Sequence, residues 1–237
     1  MLRAKGVVGK FVECFGDGVA TLSATQRACI ANMTPEYGCT CTLFPVDDRT
    51  LEYLLLTGRD KEQVALVEAY AKAQGMWNDG ASRVYSEVLE LNLSDVECSL
   101  AGPSRPHDRF ARNDARSRFN AICADRKLDM DKRVVVNFMG SKYELTHGAI
   151  AIAAVTSCTT ATDPAMMLAC GLVAKHARER GLLAKPWVKR VMAPGSHATQ
   201  LMLERAGLAQ PLAELGFATC GFGCMSCIGN SGPVWPE

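Results

Sequence analysis

The stretch that decides the fold is GAIAIAAVTSC, residues 148–158, and the segment that begins five residues later, DPAMMLACGLVAKHARERG, residues 163–181. The first is an apolar run far shorter than the roughly 20 residues a membrane-spanning helix needs. It is bounded by turn residues and reads as a buried strand. The second has proline at its first turn, where the missing N–H costs nothing, and predicts a helix. A strand that feeds a helix through a short loop is the repeating unit of an α/β fold.

Working outward, the same alternation recurs. WVKRVMAPGS (187–196) predicts a strand entering a Pro-Gly turn, HATQLMLERAGL (197–208) and AQPLAELG (209–216) predict helices, and FATCGFG (217–223) a last short strand. Upstream, RVVVNF (133–138) and SKYELT (141–146) predict two strands around a turn at Met139–Ser141. Nearer the start, GVVGKFVECF (6–15) predicts a strand, and SATQRACIANM (23–33) a helix opened by a Ser or Thr cap. DDRTLEYLLLTG (47–58) has helical apolar spacing, and DKEQVALVEAYAKAQGMW (60–77) is a helix opened by Asp60 and closed near Gly75. VYSEVLELNL (84–93) alternates as a half-buried strand does. AGPSRPHDRFARNDARSRF (101–119) lacks a periodic apolar face and marks a crossover between two domains, 1–100 and 101–237. The expected class is therefore α/β, three layers of α/β/α with mostly parallel sheets.

Composition limits the function classes. The 237 residues are 48% hydrophobic and 22% charged, enough apolar side chain for a buried core. A formal charge of +1 gives no general pull toward nucleic acid or an anionic membrane. The basic run from Arg105 to Arg118 is interspersed with acids and reads as a solvated connection. No segment has the pattern of a secretory signal or a membrane span. Eleven cysteines scattered singly through apolar patterns then point to reduced thiols and a cytoplasmic setting.

In parallel α/β sheets ligands bind beyond the carboxyl ends of the strands. Two such ends carry cysteine: AIAAVTSC delivers Cys158, and FATCGFGCMSC delivers Cys224 and Cys227. A Cys-x-x-Cys pair serves zinc sites, redox dithiols and iron–sulfur clusters alike. A redox dithiol normally opens a helix, whereas this pair runs into Gly-Asn-Ser-Gly-Pro. Structural zinc takes four ligands, and the sequence holds no second Cys-x-x-Cys and no paired histidines to complete them. Three thiolates leave one position open, as a catalytic metal centre requires, and suit soft iron with sulfide better than hard cations.

The motifs GVVGKFVE, RACIANMTPEYG, FPVD, LTGR, AKAQGMW, LAGPSRPHDR, IAAVTSCT, APGS and GCMSCIGNSGP together cover the chain from about Leu2 to Pro233. In them the sequence resembles the aconitase family, in the branch that holds bacterial aconitases, cytosolic aconitases that double as iron-regulatory proteins, and 2-methylcitrate dehydratases. The resemblance implies a [4Fe–4S] cluster ligated by Cys158, Cys224 and Cys227. Its fourth iron, without a protein ligand, serves as the Lewis acid for the tricarboxylate. Glu13 matches a catalytic carboxylate that faces the cluster from the neighbouring domain. A charge in so apolar a strand also needs a partner on physical grounds alone.

The implied activity is a hydro-lyase interconverting citrate and isocitrate through cis-aconitate. Within the same branch, 2-methylcitrate or 2-methyl-cis-aconitate is the alternative substrate, and a non-catalytic iron–sulfur-binding remnant is the alternative role. Near-neutral charge argues against RNA as a partner. Against the family pattern, Thr160 stands where an asparagine beside the cluster is expected. The resemblance further implies a central fragment, with the serine base, the Asp and His residues and the substrate arginines on domains outside it. Those missing domains would be its partners, and the chain alone would show little turnover and an exposed apolar surface. Of the other cysteines, Cys29 and Cys170 read as core residues and Cys220 as a buried strand residue, with a surrogate fourth ligand as its alternative. The turn from Pro194 to Ser196 reads either as part of the pocket floor or as a strand-to-helix turn with Ser196 as the helix cap, and Met166 and Met167 read as core packing.

Overall fold

The computed structural model describes residues 1–80, 83–105, 107–156, 158, 162–230, 232 and 233, and of Cys227 the backbone alone. It divides into two compact units, Met1–Asp114 and Ala115–Glu237.

The first unit contains α1 (Leu2–Lys5), β1 (Phe11–Glu13), α2 (Ala24–Asn32), α3 (Thr34–Tyr37), β2 (Cys41–Leu43), α4 (Asp48–Leu56), α5 (Lys61–Ala73), β3 (Ser99–Ala101) and β4 (Arg109–Ala111). β1 and β2 pair in parallel, Phe11 opposite Cys41 and Glu13 opposite Leu43. α2 starts on a capping box. Ser23 Oγ accepts from the Gln26 N–H at 3.2 Å, and Gln26 Oε1 accepts from the Ser23 N–H at 3.0 Å. Asp60 caps α5 by accepting from the Gln63 N–H at 2.7 Å. The interior is partly ionic. Arg27 donates to both carboxylate oxygens of Asp47, at 2.9 and 2.7 Å, and also to the Val19 and Leu22 carbonyls. Asp47 in turn caps α4, so one buried pair fastens two helices and the loop between them.

The second unit contains α6 (Ala115–Asp125), β5 (Arg133–Phe138), β6 (Ser141–Thr146), β7 (Ile152–Thr156), α7 (Pro164–Glu179), β8 (Lys189–Ala193), α8 (His197–Arg205) and α9 (Ala209–Glu214), with a 3-10 turn at Ser226–Ile228. β5 and β6 form an antiparallel hairpin whose two turn residues, Met139 and Gly140, both have positive φ (49° and 79°). That backbone twist is the one a two-residue hairpin turn prefers. β7 and β8 pair in parallel from Ile152–Lys189 to Thr156–Ala193, with α7 as the crossover. Under β8 lies an apolar cluster of Met167, Ala174, Met192, Leu203, Leu208 and Leu212, flanked by Val155 and Phe217.

The class is α/β, built from helices with small parallel and antiparallel sheets. Among the described residues the sheets are four two-stranded pairs, two parallel and two antiparallel. Several elements depart from the sequence expectations. Residues 84–92 form no strand, because alternation alone does not make one without a partner ladder. The crossover region carries the β3–β4 hairpin and α6, whose apolar stripe is narrow. Thr219 makes a single bridge to Met192 where a last strand was expected. β7 is not the buried strand: Ile152 is 42% exposed, while Val191, Met192 and Ala193 of β8 are buried. β7 is paired along one edge and its outer face is uncovered. Met167 is core, but Met166 is exposed.

Much apolar surface stays open, including Phe11, Leu56, Leu66, Val173 and Leu183. The accessible area is 16237 Å². Two separate compact globules, each of half the 25.6 kDa mass, would together expose about 12,500 Å². No helix among the described residues is long and apolar enough to cross a membrane.

Candidate metal centre

Parallel pairing makes β7 and β8 finish at the same edge, and the candidate ligands lie just beyond it. Cys158 follows β7 by two residues, and Pro194-Gly195 follow β8 directly. The two loops touch backbone to backbone. A Cβ on Gly195 would come within 2.6 Å of Thr162 Oγ1 and 2.9 Å of the Cys158 carbonyl carbon, so only glycine permits this approach. Thr162 Oγ1 donates to the Cys158 carbonyl at 3.0 Å and closes the first loop on itself.

The second cysteine loop hangs from β8. The Cys220 N–H donates to the Met192 carbonyl at 2.9 Å and the Gly223 N–H to the Pro194 carbonyl at 3.0 Å. Phe222 stacks on His197 at the start of α8, ring centres 4.1 Å apart. Beyond it, the Asn230 N–H donates to the Met225 carbonyl at 2.9 Å, and Lys189 Nζ donates to the Pro233 carbonyl at 2.5 Å. These ties bring Cys224 Sγ to 3.6 Å from Cys158 Sγ, across 66 positions of sequence. Cys158 is half-buried and Cys224 exposed.

Cys227 has its backbone in the adjoining 3-10 turn, while its side chain and the whole of Thr160 lie outside the described residues. Among the described residues no group of three or more His, Cys, Asp or Glu side chains is spaced to hold a metal ion. Two further groups mark the site. Thr156 Oγ1 and Ser226 Oγ are buried side-chain oxygens with no hydrogen-bond partner.

The donor chemistry fits a soft metal group, since the approaching atoms are sulfurs. A tetrahedral ion with bonds near 2.3 Å spans a sulfur–sulfur edge of about 3.8 Å, close to the observed separation. A cube binds its ligands on separate irons and so needs the sulfurs farther apart.

Glu13 ends β1 in the first unit and is exposed. Because the residue is exposed, its charge is solvated and needs no buried partner. Tyr85 lies near it: desolvation first, then hydrogen bonding toward the Glu13 carboxylate and its negative charge, push the Tyr85 hydroxyl above its ordinary range. Phe15 stacks on the Tyr85 ring at 4.7 Å and 14°. Next to Glu13, burial and the charges of Cys39 and Glu13 raise the Cys14 thiol.

Other candidates fall differently. Cys220 is exposed instead of buried, because the strand expected around it reduces to a single bridge; its Sγ donates to the Met192 carbonyl at 3.2 Å. Cys29 and Cys170 are half-buried, and among the described residues the buried thiols are Cys39 and Cys123. Ser196 sits at the cap position of α8 without a side-chain capping hydrogen bond. His176 pairs with Glu179 at the surface, at 3.1 Å. Sequence reasoning missed Tyr85, Thr156 and Ser226. The last two had a signal in their position, each within two residues of a candidate ligand.

The sequence model of the aconitase family (aconitate hydratase) matches residues 1–237. The chain belongs to the aconitase family. Similar curated relatives in the family are an Aconitate hydratase A of Legionella pneumophila, 50% identical over 99% of this chain and 26% of its own length, and one of Salmonella typhimurium, 51% identical over 100% and 27%. An Aconitate hydratase A of Escherichia coli is 50% identical over 99% of this chain and 27% of its own length. The chain thus spans about a quarter of the length of the aconitase-family relatives it matches.

Proposed function

We propose that this chain supplies the cluster-holding part of an aconitase-type hydro-lyase, with Cys158, Cys224 and Cys227 as thiolate ligands of a [4Fe–4S] cluster and Glu13 as a catalytic carboxylate. The observation that carries the reading is the convergence of Cys158 and Cys224 at one strand edge from loops far apart in sequence; around a cluster their sulfurs would stand farther apart than the present 3.6 Å. The relatives' name, Aconitate hydratase A, supports aconitate as the tricarboxylate handled; citrate and isocitrate as its hydrated forms belong to the same proposal. When bound, the cluster supplies a Lewis acid at the iron that three thiolates leave without a protein ligand.

The chain's own residues do the rest of what is proposed here. β7 and β8 fix the two thiol-bearing loops, and the Gly195 contact holds them together. Glu13 presents an exposed carboxylate oxygen able to take or return a proton. The same proposal carries the three-layer α/β/α arrangement, the domains at 1–100 and 101–237, further aconitase domains as partners, and a cytoplasmic location.

Anaerobic reconstitution with iron and sulfide tests it. The expected product has broad visible absorbance and iron with inorganic sulfide, and both are lost in Cys224→Ser. A product holding one zinc ion and no sulfide would falsify the cluster assignment. In the protein that carries this chain, Glu13→Gln should lower turnover of cis-aconitate by about 10²- to 10⁴-fold, with the cluster absorbance unchanged.

A further inference from the structure

We infer that the hydroxyls of Thr156 and Ser226 donate hydrogen bonds to sulfur of the bound cluster, and so set how firmly it is held and at what potential it is reduced. This deepens the cluster assignment above and rests on it. Among the described residues, Thr156 Oγ1 and Ser226 Oγ are the side-chain oxygens removed from water without a hydrogen-bond partner. Both lie at the candidate centre. Thr156 is the last residue of β7, two before Cys158, and Ser226 lies between Cys224 and Cys227. The end of β7 is also close to the 3-10 turn that carries Ser226.

Hydroxyls nearby that have a protein acceptor in reach use it. Thr162 Oγ1 donates to the Cys158 carbonyl at 3.0 Å, and Thr219 Oγ1 donates to Gln200 Oε1 at 2.7 Å. A buried hydroxyl left unpaired is costly, and each such group in a native fold calls for an explanation. Serine and threonine hydroxyls rotate freely and offer one donor, and thiolate and sulfide sulfurs are acceptors. Donors aimed at cluster sulfur raise its reduction potential and retain it. A sulfur acceptor held by the neighbouring cysteines would give both buried hydroxyls the partner they lack.

The inference predicts opposite signs in the two forms of the protein. Without the cluster, Thr156→Val and Ser226→Ala remove an unsatisfied group, and thermal stability should hold or rise. With the cluster, each should lower the reduction potential and speed cluster loss under chelator by about two- to tenfold, the effect of one hydrogen bond. Thr156→Ser and Ser226→Thr keep a hydroxyl and should restore both readouts. The proteins to compare are those reconstituted anaerobically with iron and sulfide, read by redox titration and by the decay of visible absorbance. Potentials and loss rates equal to the parent's in Thr156→Val and Ser226→Ala overturn the inference. Equal destabilisation with and without the cluster overturns it too, since that is a purely structural role. If Thr156→Val fails to fold, Ser226→Ala in the turn decides alone. Failure of the parent to assemble iron and sulfide at all is distinct, and sinks the cluster assignment itself.

Discussion

Arg27 in the first unit and Leu203 in the second are both almost fully buried, at 4% and 1% exposure, but they are held in opposite ways. Arg27 is fixed by directed bonds to Asp47 and to backbone carbonyls, whereas Leu203 sits in an apolar cluster with Met192, Leu208 and Leu212. The two candidate chemistries follow this division. The carboxylate Glu13 stands on a short exposed strand in the ionic unit. The thiols lie beyond the shared end of β7 and β8, with Cys158 following β7 and the Cys224 loop tied to β8, the best buried strand of the apolar one. Directed bonds fix a geometry but fail abruptly when one partner goes; apolar packing degrades in proportion to the volume removed.

The comparison breaks most sharply at the ion pair. Asp47→Ala should destabilise the first unit by about 3–5 kcal/mol, because the buried Arg27 charge is left unpaired. Replacing the pair by Met and Leu should recover most of the loss. Unit-resolved hydrogen exchange would show this, and an equal loss of protection in both units would contradict the division. Leu203→Ala should cost about 2–5 kcal/mol in the second unit, and protection around β8 should fall with it.

Gly195→Ala sharpens the comparison differently. It should leave global stability less affected than the local geometry, and should slow bridging of Cys158 and Cys224 by a short bifunctional thiol reagent. Unchanged bridging would mean that the loops do not meet at Gly195. Ser23→Ala removes half of a capping box and should cost about 1 kcal/mol, confined to the first unit.

The smallest effect concerns charge. Glu87 is held below its ordinary carboxylate range by hydrogen bonds from Lys5 and Lys10, and then by their charges. Its folded pKa is depressed, so its contribution is present above the unfolded carboxylate range and is lost as pH falls through the folded value. Glu87→Gln should therefore flatten the acid limb of stability slightly and leave neutral pH almost unchanged, as acid titration by circular dichroism would register.

What the sequence shows most clearly is what short-range chemistry decides. Asp60 announces α5, Pro164 announces α7, and the turn at Met139–Ser141 announces the β5–β6 hairpin, each through a cap or turn within a few residues. The hidden parts depend on partners elsewhere. α6 carries Phe119, Ile122 and Cys123 on a stripe crowded by arginines, and residues 84–92 alternate like a strand yet find no neighbour to pair with. Burial was misjudged for the same reason. GAIAIAAVTSC is the most apolar run, but the pairing decides that β8 and not β7 is covered. At the candidate site, strand-end logic singles out Cys158 and Cys224, and the structure shows their sulfurs close together. The Tyr85 contact to Glu13 was not legible, because it joins residues 72 positions apart through a segment with no regular structure.

The parallel alignment of β7 and β8 has a consequence for insertions. Residues 180–188, which return the chain from α7 to β8, turn at the strand edge opposite the thiols. Added or deleted residues there change the outline of the far end and leave the spacing of the sulfurs alone. That bend is therefore where an engineered insertion should be borne, whereas a residue added at 194–196 would shift the loop that Pro194 and Met192 tie to the Cys224 segment.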